Sequence, residues 1–227
     1  MFSGLSSIPM KDITIKKGSA TFIRGFDQPE KLFDWMDNKP DSIGIAFVGR
    51  SNVGKSSLIN SLFGQKTAKT SKTPGRTQQI NVFEFTLEKF DSEKKFYLYD
   101  LPGYGHAKVS RAMLKNWNML MDTFFRYLND RTLIVNIQDA RHPNQASDQQ
   151  FYSYLNANNV EVYLAFNKID KLKKQKERSA LNKLKPQLFK EFKSVKQMFF
   201  VSAEKKDNLE ALNLSLVNYL LKTIDSF

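Results

Sequence analysis

Cysteine is absent from the chain, and histidine and tryptophan occur only twice each. Without thiols there is no disulfide, no thiolate metal site, no iron–sulfur cluster and no cysteine nucleophile. His106 and His142 are far apart and lack the spacing of zinc ligands. No apolar run approaches the ~20 residues of a membrane-spanning helix. The opening MFSGLSSIPMKD lacks a basic stretch followed by an apolar one, so no secretory signal is expected. Internal repeats and low-complexity tracts are missing as well. What remains is a chain of 227 residues with 41% hydrophobic and 26% charged residues, the balance of a folded domain rather than a disordered segment. At roughly 100–200 residues per domain, it is one domain or one domain with extensions.

Positive charge is in excess. Lysine and arginine number 35 against 23 acidic residues, a net charge of +12. Such a chain is drawn to polyanions, nucleic acid or an anionic membrane surface. The excess is localised: Lys171 to Lys196 holds ten basic and two acidic residues. A solvated helix face accounts for such a run as readily as a binding surface does.

Residues 1–40 read as irregular, closing on the turn Asn38-Lys39-Pro40-Asp41. Ile43–Val48 is a short apolar run that suits a strand buried on both faces. A glycine-rich turn follows, then a helix over 56–63 that stops at Gly64. Residues 66–78 are polar and contain Pro74-Gly75, so they form a loop. Strands are expected near 80–87 and 95–100, joined by a turn around Phe90-Asp91-Ser92. Met113, Leu114, Trp117, Leu120, Met121, Phe124, Phe125 and Leu128 recur at helical spacing. Beyond them, strands at 132–137, 160–166 and 197–201 alternate with helices at 147–157, 175–193 and 208–224. Pro186 should kink or split the second of these helices. Alternation of this kind implies an α/β fold, a mostly parallel sheet of six strands with helices on both faces. Ligands should gather at the carboxyl ends of the strands.

The strongest signal is Gly49-Arg50-Ser51-Asn52-Val53-Gly54-Lys55-Ser56, a full G-x-x-x-x-G-K-[ST] between an expected strand and an expected helix. Its glycines let the backbone wrap phosphate oxygens with N–H groups inward, and the helix N-terminus adds partial positive charge. Lys55 should reach the β- and γ-phosphates, and the Ser56 hydroxyl should ligate Mg²⁺. The base is addressed by Asn167-Lys168-Ile169-Asp170 at the end of a strand. A carboxylate at Asp170 accepts hydrogen bonds from the N1–H and exocyclic amine of guanine, which adenine cannot supply. Asn167 would support base and loops, and the Lys168 stem would pack over the ring. Asp100-Leu101-Pro102-Gly103 follows the 95–100 strand. Asp100 is placed to hold the Mg²⁺ shell through water, and the Gly103 N–H to sense the γ-phosphate. In Thr73-Pro74-Gly75-Arg76-Thr77-Gln78, either threonine could close over Mg²⁺ as an order–disorder switch. Ser202-Ala203 follows the last strand, where a backbone N–H could meet the guanine O6.

These elements, in this order, resemble the Ras-like P-loop GTPases. The strings Ala46–Ser57, Lys72–Gln78, Asp100–Gly105 and Asp139-Ala140-Arg141-His142-Pro143 resemble more narrowly the EngB family (also called YihA or YsxC), among the TrmE-Era-EngA-EngB-septin-like GTPases. The likeness spans about residues 20–224. It implies a Ras-like GTPase domain over 41–227, preceded by an N-terminal extension over 1–40. It also implies a bacterial cytoplasmic protein, monomeric and without stable membrane association, that binds and hydrolyses GTP with Mg²⁺. The partner implied is the large ribosomal subunit, whose assembly it would serve, with a link to cell division and growth. Nucleotide contacts would run through Gly49–Ser57 (Gly49, Arg50, Ser51, Asn52, Val53, Gly54, Lys55, Ser56, Ser57) and through Gly75, Arg76 and Thr77. They would continue through Asp100, Leu101, Pro102 and Gly103, then Asn167, Lys168 and Asp170, and Val201, Ser202 and Ala203. Lys55, Thr77 and Gly103 would carry the catalytic step, and the resemblance favours Thr77 over Thr73 as the Mg²⁺ ligand beside Ser56. Gln138 departs from the more apolar lead-in expected before Asp139.

Ras-like enzymes place a water-orienting glutamine just after the Asp-x-x-Gly turn. Here Tyr104 stands there, a poor substitute with one hydroxyl and a high pKa. Slow intrinsic turnover is the expectation, raised by a partner or an ion. In related GTPases activated by K⁺ an asparagine matching Asn52 helps hold the ion, so Asn52 is a candidate K⁺ ligand. A loop-stabilising asparagine is the competing reading. His106 and His142 read as loop residues, Trp35 and Trp117 as packing residues, and Arg50 and Arg76 as potential phosphate or RNA contacts. Two other functions compete with this reading: a GTPase serving a protein or membrane partner, and a kinase. No amphipathic anchor supports a membrane role, and Asn167–Asp170 argues against a kinase.

Overall fold

The computed structural model describes residues 12–68, 79–90, 94–105, 111–128, 130–158 and 160–226. Their elements run β1 (Thr14–Ile15), β2 (Thr21–Phe26), α1 (Pro29–Asp37), β3 (Gly44–Gly49), α2 (Lys55–Phe63), β4 (Ile80–Phe85), β5 (Leu87–Glu88) and β6 (Phe96–Asp100). There follow α3 (Arg111–Arg126), β7 (Thr132–Asp139), α4 (Ala146–Ala157), β8 (Val162–Asn167), α5 (Gln175–Glu191), β9 (Val195–Phe200) and α6 (Leu209–Asp225). The central sheet has the order β2-β4-β6-β3-β7-β8-β9, and β1 pairs with β5 in a separate two-stranded ribbon.

From β6 through β9 all neighbours are parallel, while β4 runs antiparallel to both β2 and β6. The sheet therefore has seven strands rather than the six expected from sequence. The additional strand is β2, inside the stretch read as irregular, which also forms α1 and β1. Its signal is weak because it is an edge strand. Phe22 and Ile23 are exposed, and the register slips between Phe22 and Arg24, which breaks the alternation a half-buried strand would show.

Every residue of β3, β7 and β8 is buried. Strands covered on both faces cannot alternate and read as continuous apolar runs. One face packs α2, α6 and the β1–β5 ribbon through Phe47, Phe63, Phe85, Leu212 and Leu216. The other packs α1, α3, α4 and α5 through Leu32, Tyr99, Phe124, Leu155 and Leu188. Trp35 packs edge-on against Tyr97 and Tyr99, with ring centroids 5.5 and 5.9 Å away. α5 continues through Pro186 as a single helix instead of splitting. Pro186 and Asn182, whose carbonyl loses its intrahelical partner, are both exposed, so water can satisfy that carbonyl.

Five strands pointing the same way bring their carboxyl ends to one rim. There the chain leaves β3 at Gly49, β6 at Asp100, β7 at Asp139, β8 at Asn167 and β9 at Phe200. The turn motifs singled out in the sequence leave from these ends.

Candidate functional site

The loop after β3 enters α2 through Gly54, whose φ of +91° is left-handed. A Cβ there would lie 2.4 Å from the Asn167 side-chain nitrogen, so only glycine fits. No side chain caps α2, and its first internal bond is Leu58 N–H to the Gly54 carbonyl. The N–H groups of Lys55, Ser56 and Ser57 are thus left for an external acceptor, the arrangement that binds phosphate at a helix N-terminus.

The other loops close on this one. Gly103 packs so near that a Cβ would stand 3.2 Å from the Gly49 carbonyl and the Ser51 hydroxyl. The Tyr104 N–H donates to the Gly49 carbonyl at 3.2 Å, and the Ser51 N–H donates to the Tyr104 carbonyl at 3.3 Å. Leu101 and Pro102 are buried beneath the turn. Lys55 Nζ donates to the buried Asp100 carboxylate, which ties the start of α2 to the end of β6.

Asn167 clips two loops together. Its Nδ2 donates to the Val53 carbonyl at 3.0 Å, and its Oδ1 accepts the Ala203 N–H at 3.0 Å. Val201 is buried and bonds β8 through its N–H to Phe166. Asp170 accepts the Ser202 hydroxyl at 2.6 Å and faces Lys171 Nζ at 3.2 Å. Burial works against its charge, but the Ser202 hydroxyl and the Lys171 ammonium outweigh it and hold the carboxyl below its ordinary value. Asp170 therefore stays an acceptor at neutral pH.

Lys168 adopts φ +68° and donates from Nζ to the Asn52 carbonyl and, at 2.9 Å, to Asp139. Asp139 in turn takes Arg141 in two-pronged fashion at 2.9 and 2.6 Å. Burial opposes the Asp139 charge, yet the Arg141 and Lys168 hydrogen bonds hold its carboxyl well below the usual range. Asp139 thus fixes the long Lys168 stem, a positioning role that residue-type reasoning missed. Its one sequence signal is the Asp-x-Arg pattern directly after a buried strand.

Two residues sit differently from expectation. Tyr104, in the place of a water-orienting glutamine, turns inward and is buried. Its hydroxyl donates to Asp148 at 2.8 Å and accepts from Asn136 at 2.9 Å, and its ring stacks on Phe151. Burial and the neighbouring Asp148 push the phenol well above its ordinary pKa. Arg50, read as a potential phosphate or RNA contact, points to α4 instead. It pairs with Asp148 at 3.0 Å and donates to the His142 carbonyl at 2.6 Å.

The buried chain continues from Asn136 to Tyr152 and Gln138, at 2.9 and 2.7 Å. Gln138, polar where an apolar residue was expected, also accepts the Asn144 N–H at 2.7 Å. Periodicity cannot reveal such a network, because its members belong to five separate segments. Tyr104→Phe should lower stability by about 1–3 kcal/mol in urea unfolding, since Asp148 loses a donor and Asn136 an acceptor. Turnover of the isolated protein should hardly change. A collapse of turnover at unchanged stability would show that the hydroxyl reaches the reaction.

Gly75, Arg76 and Thr77, together with Thr73, Asp91, Ser92 and His106, lie outside the described residues. The remaining candidate residues converge on the rim described above. Among the described residues no helix is long and apolar enough to cross a membrane.

A mostly parallel sheet with the G-x-x-x-x-G-K-S loop after β3, the Asp100 turn after β6 and the Asn167–Asp170 string after β8 is the arrangement of a P-loop GTPase. Residues 44–168 match the family described as 50S ribosome-binding GTPase. The probable GTP-binding protein EngB of Prosthecochloris aestuarii is 40% identical over 208 residues, which is 90% of this chain and 99% of that protein. Its counterpart in Fusobacterium nucleatum is 39% identical over 82% of this chain and 88% of its own length. The chain belongs to the EngB family of GTP-binding proteins and is a GTPase.

Among solved structures, Era of Aquifex aeolicus bound to GDP and aluminium fluoride superposes with a TM-score of 0.62 at 26% identity. The match covers 78% of this chain but only 56% of Era. A probable GTP-binding protein engB matches over its whole length with a TM-score of 0.57, and at 24% identity it speaks for the fold alone.

Proposed function

We propose that this GTPase is a nucleotide-gated assembly factor of the large ribosomal subunit, with its nucleotide site at the strand rim. The observation that carries the nucleotide assignment is Asn167 bonded at once to the phosphate loop and to the 201–203 loop. One side chain thereby sets the base-reading and phosphate-binding segments in a single frame. The ribosomal reading is supported by the description of the matched family and by the net charge of +12. It is also supported by a solved Era complex with MgGDPNP and a stretch of 16S ribosomal RNA, 25% identical over 78% of this chain. A cytoplasmic location accords with that partner.

In this reading the N–H groups of Lys55, Ser56 and Ser57 receive phosphate oxygens, and Lys55 adds a full positive charge. Asp170 accepts from the guanine edge, and the Lys168 stem, held by Asp139 and the Asn52 carbonyl, covers the ring. Gly103, lying against Gly49 and Ser51, offers its N–H to the terminal phosphate. Thr77 would supply a switch contact from its loop.

Hard oxygen donors suit Mg²⁺, which uses one or two carboxylates together with substrate phosphates. The Ser56 hydroxyl has no protein partner among the described residues, and Asp100 lies beside Lys55, so this donor set fits the ion. When bound, Mg²⁺ would neutralise charge between the β- and γ-phosphates.

With Tyr104 turned inward, no glutamine or tyrosine side chain at that position orients the attacking water, so slow intrinsic turnover is expected. Asn52 is exposed, with φ +66°, at the tip of the phosphate loop. It remains the candidate K⁺ ligand. Turnover should be severalfold faster in KCl than in NaCl at equal ionic strength, and identical rates would remove Asn52 from that role.

Co-sedimentation with purified ribosomal subunits tests the function. The protein should pellet with the large subunit in the presence of a non-hydrolysable GTP analogue and remain in solution with GDP or an ATP analogue. Equal pelleting in all states, vanishing with salt, would reduce the contact to charge alone.

A further inference from the structure

Five of the ten basic residues from Lys171 to Lys196 lie on α5, and they are not spread evenly around it. Lys176, Lys183 and Lys190 stand seven residues apart on α5, close to two full turns, so they form one outer stripe with a spacing of roughly 10 Å. Arg178 and Lys185 lie on another flank, roughly 150° around the helix from that stripe, next to Phe189, which is 38% exposed. All five cations are exposed.

The two acids of the segment lie elsewhere. Glu177 precedes the buried Leu181 by four residues and Glu191 follows the buried Leu188 by three, which puts both on the core-side flank. Glu177 is further tied to the helix start by the Lys174 N–H at 2.9 Å. Among the described residues Lys176, Lys183, Lys185 and Lys190 pair with no carboxylate, unlike Lys171 and Lys196, which do. A face that serves solubility alone usually interleaves signs in i,i+4 pairs. Here Lys176, Lys183 and Lys190 form a row with no acid in it, and the two exposed acids lie on the flank nearer the core.

We propose that the outer face of α5 is a docking surface for an RNA sugar–phosphate backbone. This inference rests on the ribosomal reading above and assigns that reading a surface. Three features select RNA over other polyanions. Protein interfaces are depleted in lysine, so an acidic protein is a poor match for a lysine stripe. An anionic membrane needs an apolar outer face, but α5 spends Leu181 and Leu188 on the core and leaves only Phe189 outside. An RNA backbone needs spaced cations, which the stripe of Lys176, Lys183 and Lys190 supplies.

The surface is also well placed. α5 begins just past Asp170, and Lys171 bridges Asp170 and Glu204 at 3.2 and 3.0 Å. The stripe therefore starts beside the base-reading loop and runs away from it, leaving the nucleotide rim accessible.

The test uses the full chain. One variant carries Lys176→Glu, Lys183→Glu and Lys190→Glu. A control carries Lys16→Glu, Lys17→Glu and Lys222→Glu, which makes the same change in net charge at exposed positions away from α5. A milder variant replaces the three α5 lysines by glutamine. Circular dichroism and a fluorescent GDP analogue check folding and nucleotide affinity, which should match the wild type in all three.

Affinity for purified large subunits, read with a non-hydrolysable GTP analogue over a salt series, should fall at least a hundredfold in the α5 charge-reversal variant. The slope of log affinity against log salt should shrink by about two to three in the glutamine variant, as expected for three lost phosphate contacts. The control should keep most of both. Equal losses in control and α5 variants, or wild-type binding by the α5 variants, would overturn the proposal while leaving the ribosomal reading intact. Wild-type protein that fails to bind large subunits would overturn the reading and the proposal together. Binding to phosphatidylglycerol vesicles but not to large-subunit RNA, lost in the α5 variants, would assign the surface to a membrane instead.

Discussion

Lys55→Ala should lower the affinity for GTP and GDP by about 10²–10³-fold, a loss of roughly 3–4 kcal/mol. Lys55 is the one full positive charge in the phosphate loop's G-x-x-x-x-G-K-S string that stays at the rim, since Arg50 is committed to Asp148 and the His142 carbonyl. Backbone N–H groups cannot replace it, because they carry only partial charge. A second consequence separates binding from folding. Lys55 pairs with the buried Asp100, and truncating it leaves that carboxylate without its cation. Thermal unfolding without nucleotide should therefore shift downward, and adding Asp100→Ala should recover part of that shift but none of the affinity. Titration with a fluorescent GDP analogue reads the first effect and calorimetry the second. A variant that binds GDP within tenfold of the wild type would show that phosphate is held elsewhere.

Asp170→Asn should abolish the preference for guanine. In the proposed site the carboxylate would accept two donors from the base, whereas the amide would bring a donor of its own to face the guanine amine. Leaving buried polar groups mismatched costs about 10²–10³-fold in GTP affinity. The same amide suits xanthine, which carries a carbonyl where guanine carries that amine, so xanthosine triphosphate should gain what GTP loses. Asp170 is held by the Ser202 hydroxyl at 2.6 Å, and that bond survives with an amide oxygen as acceptor, so folding should be spared. Competition between the two triphosphates, measured on both proteins, decides the matter. An unchanged preference for GTP in the variant would move base recognition away from this carboxylate.

The two variants probe different kinds of knowledge. Lys55 and Asp170 were identified from short strings whose chemistry is local: a lysine after a glycine turn, a carboxylate after a buried strand. The strands that carry them were also legible, because burial on both faces makes β3 and β8 short runs of apolar residues and glycine, broken only by the Asn167 that ends β8. β2 escaped because Phe22, Ile23 and Arg24 face outward at an edge and a register shift interrupts its period. Pro186 is expected to kink or split α5, and the helix is not split, since Asn182 and Pro186 are exposed and water can reach the orphaned carbonyl.

Sequence by itself determined the class of fold, the glycine-lysine turn after β3, the Asn167–Asp170 string after β8 and the reservoir of positive charge. Each depends on residues adjacent in the chain, where spacing alone imposes geometry. Only the tertiary structure decided where side chains from distant segments would point. Tyr104 could have faced the reacting phosphate, but Asp148, Asn136 and Phe151 offer its hydroxyl two partners and its ring a stacking surface in the core. Arg50 could have faced the nucleotide, but the buried Asp148 requires a cation. Asp139 became the anchor of Lys168 because parallel pairing sets the ends of β7 and β8 side by side. Lys176, Lys183 and Lys190 became a stripe because burying Leu181 and Leu188 fixes the helix's rotation and places the exposed Glu177 and Glu191 on its core-side flank. Partner choice among buried polar groups is settled by which strands lie next to each other, and no local pattern records that.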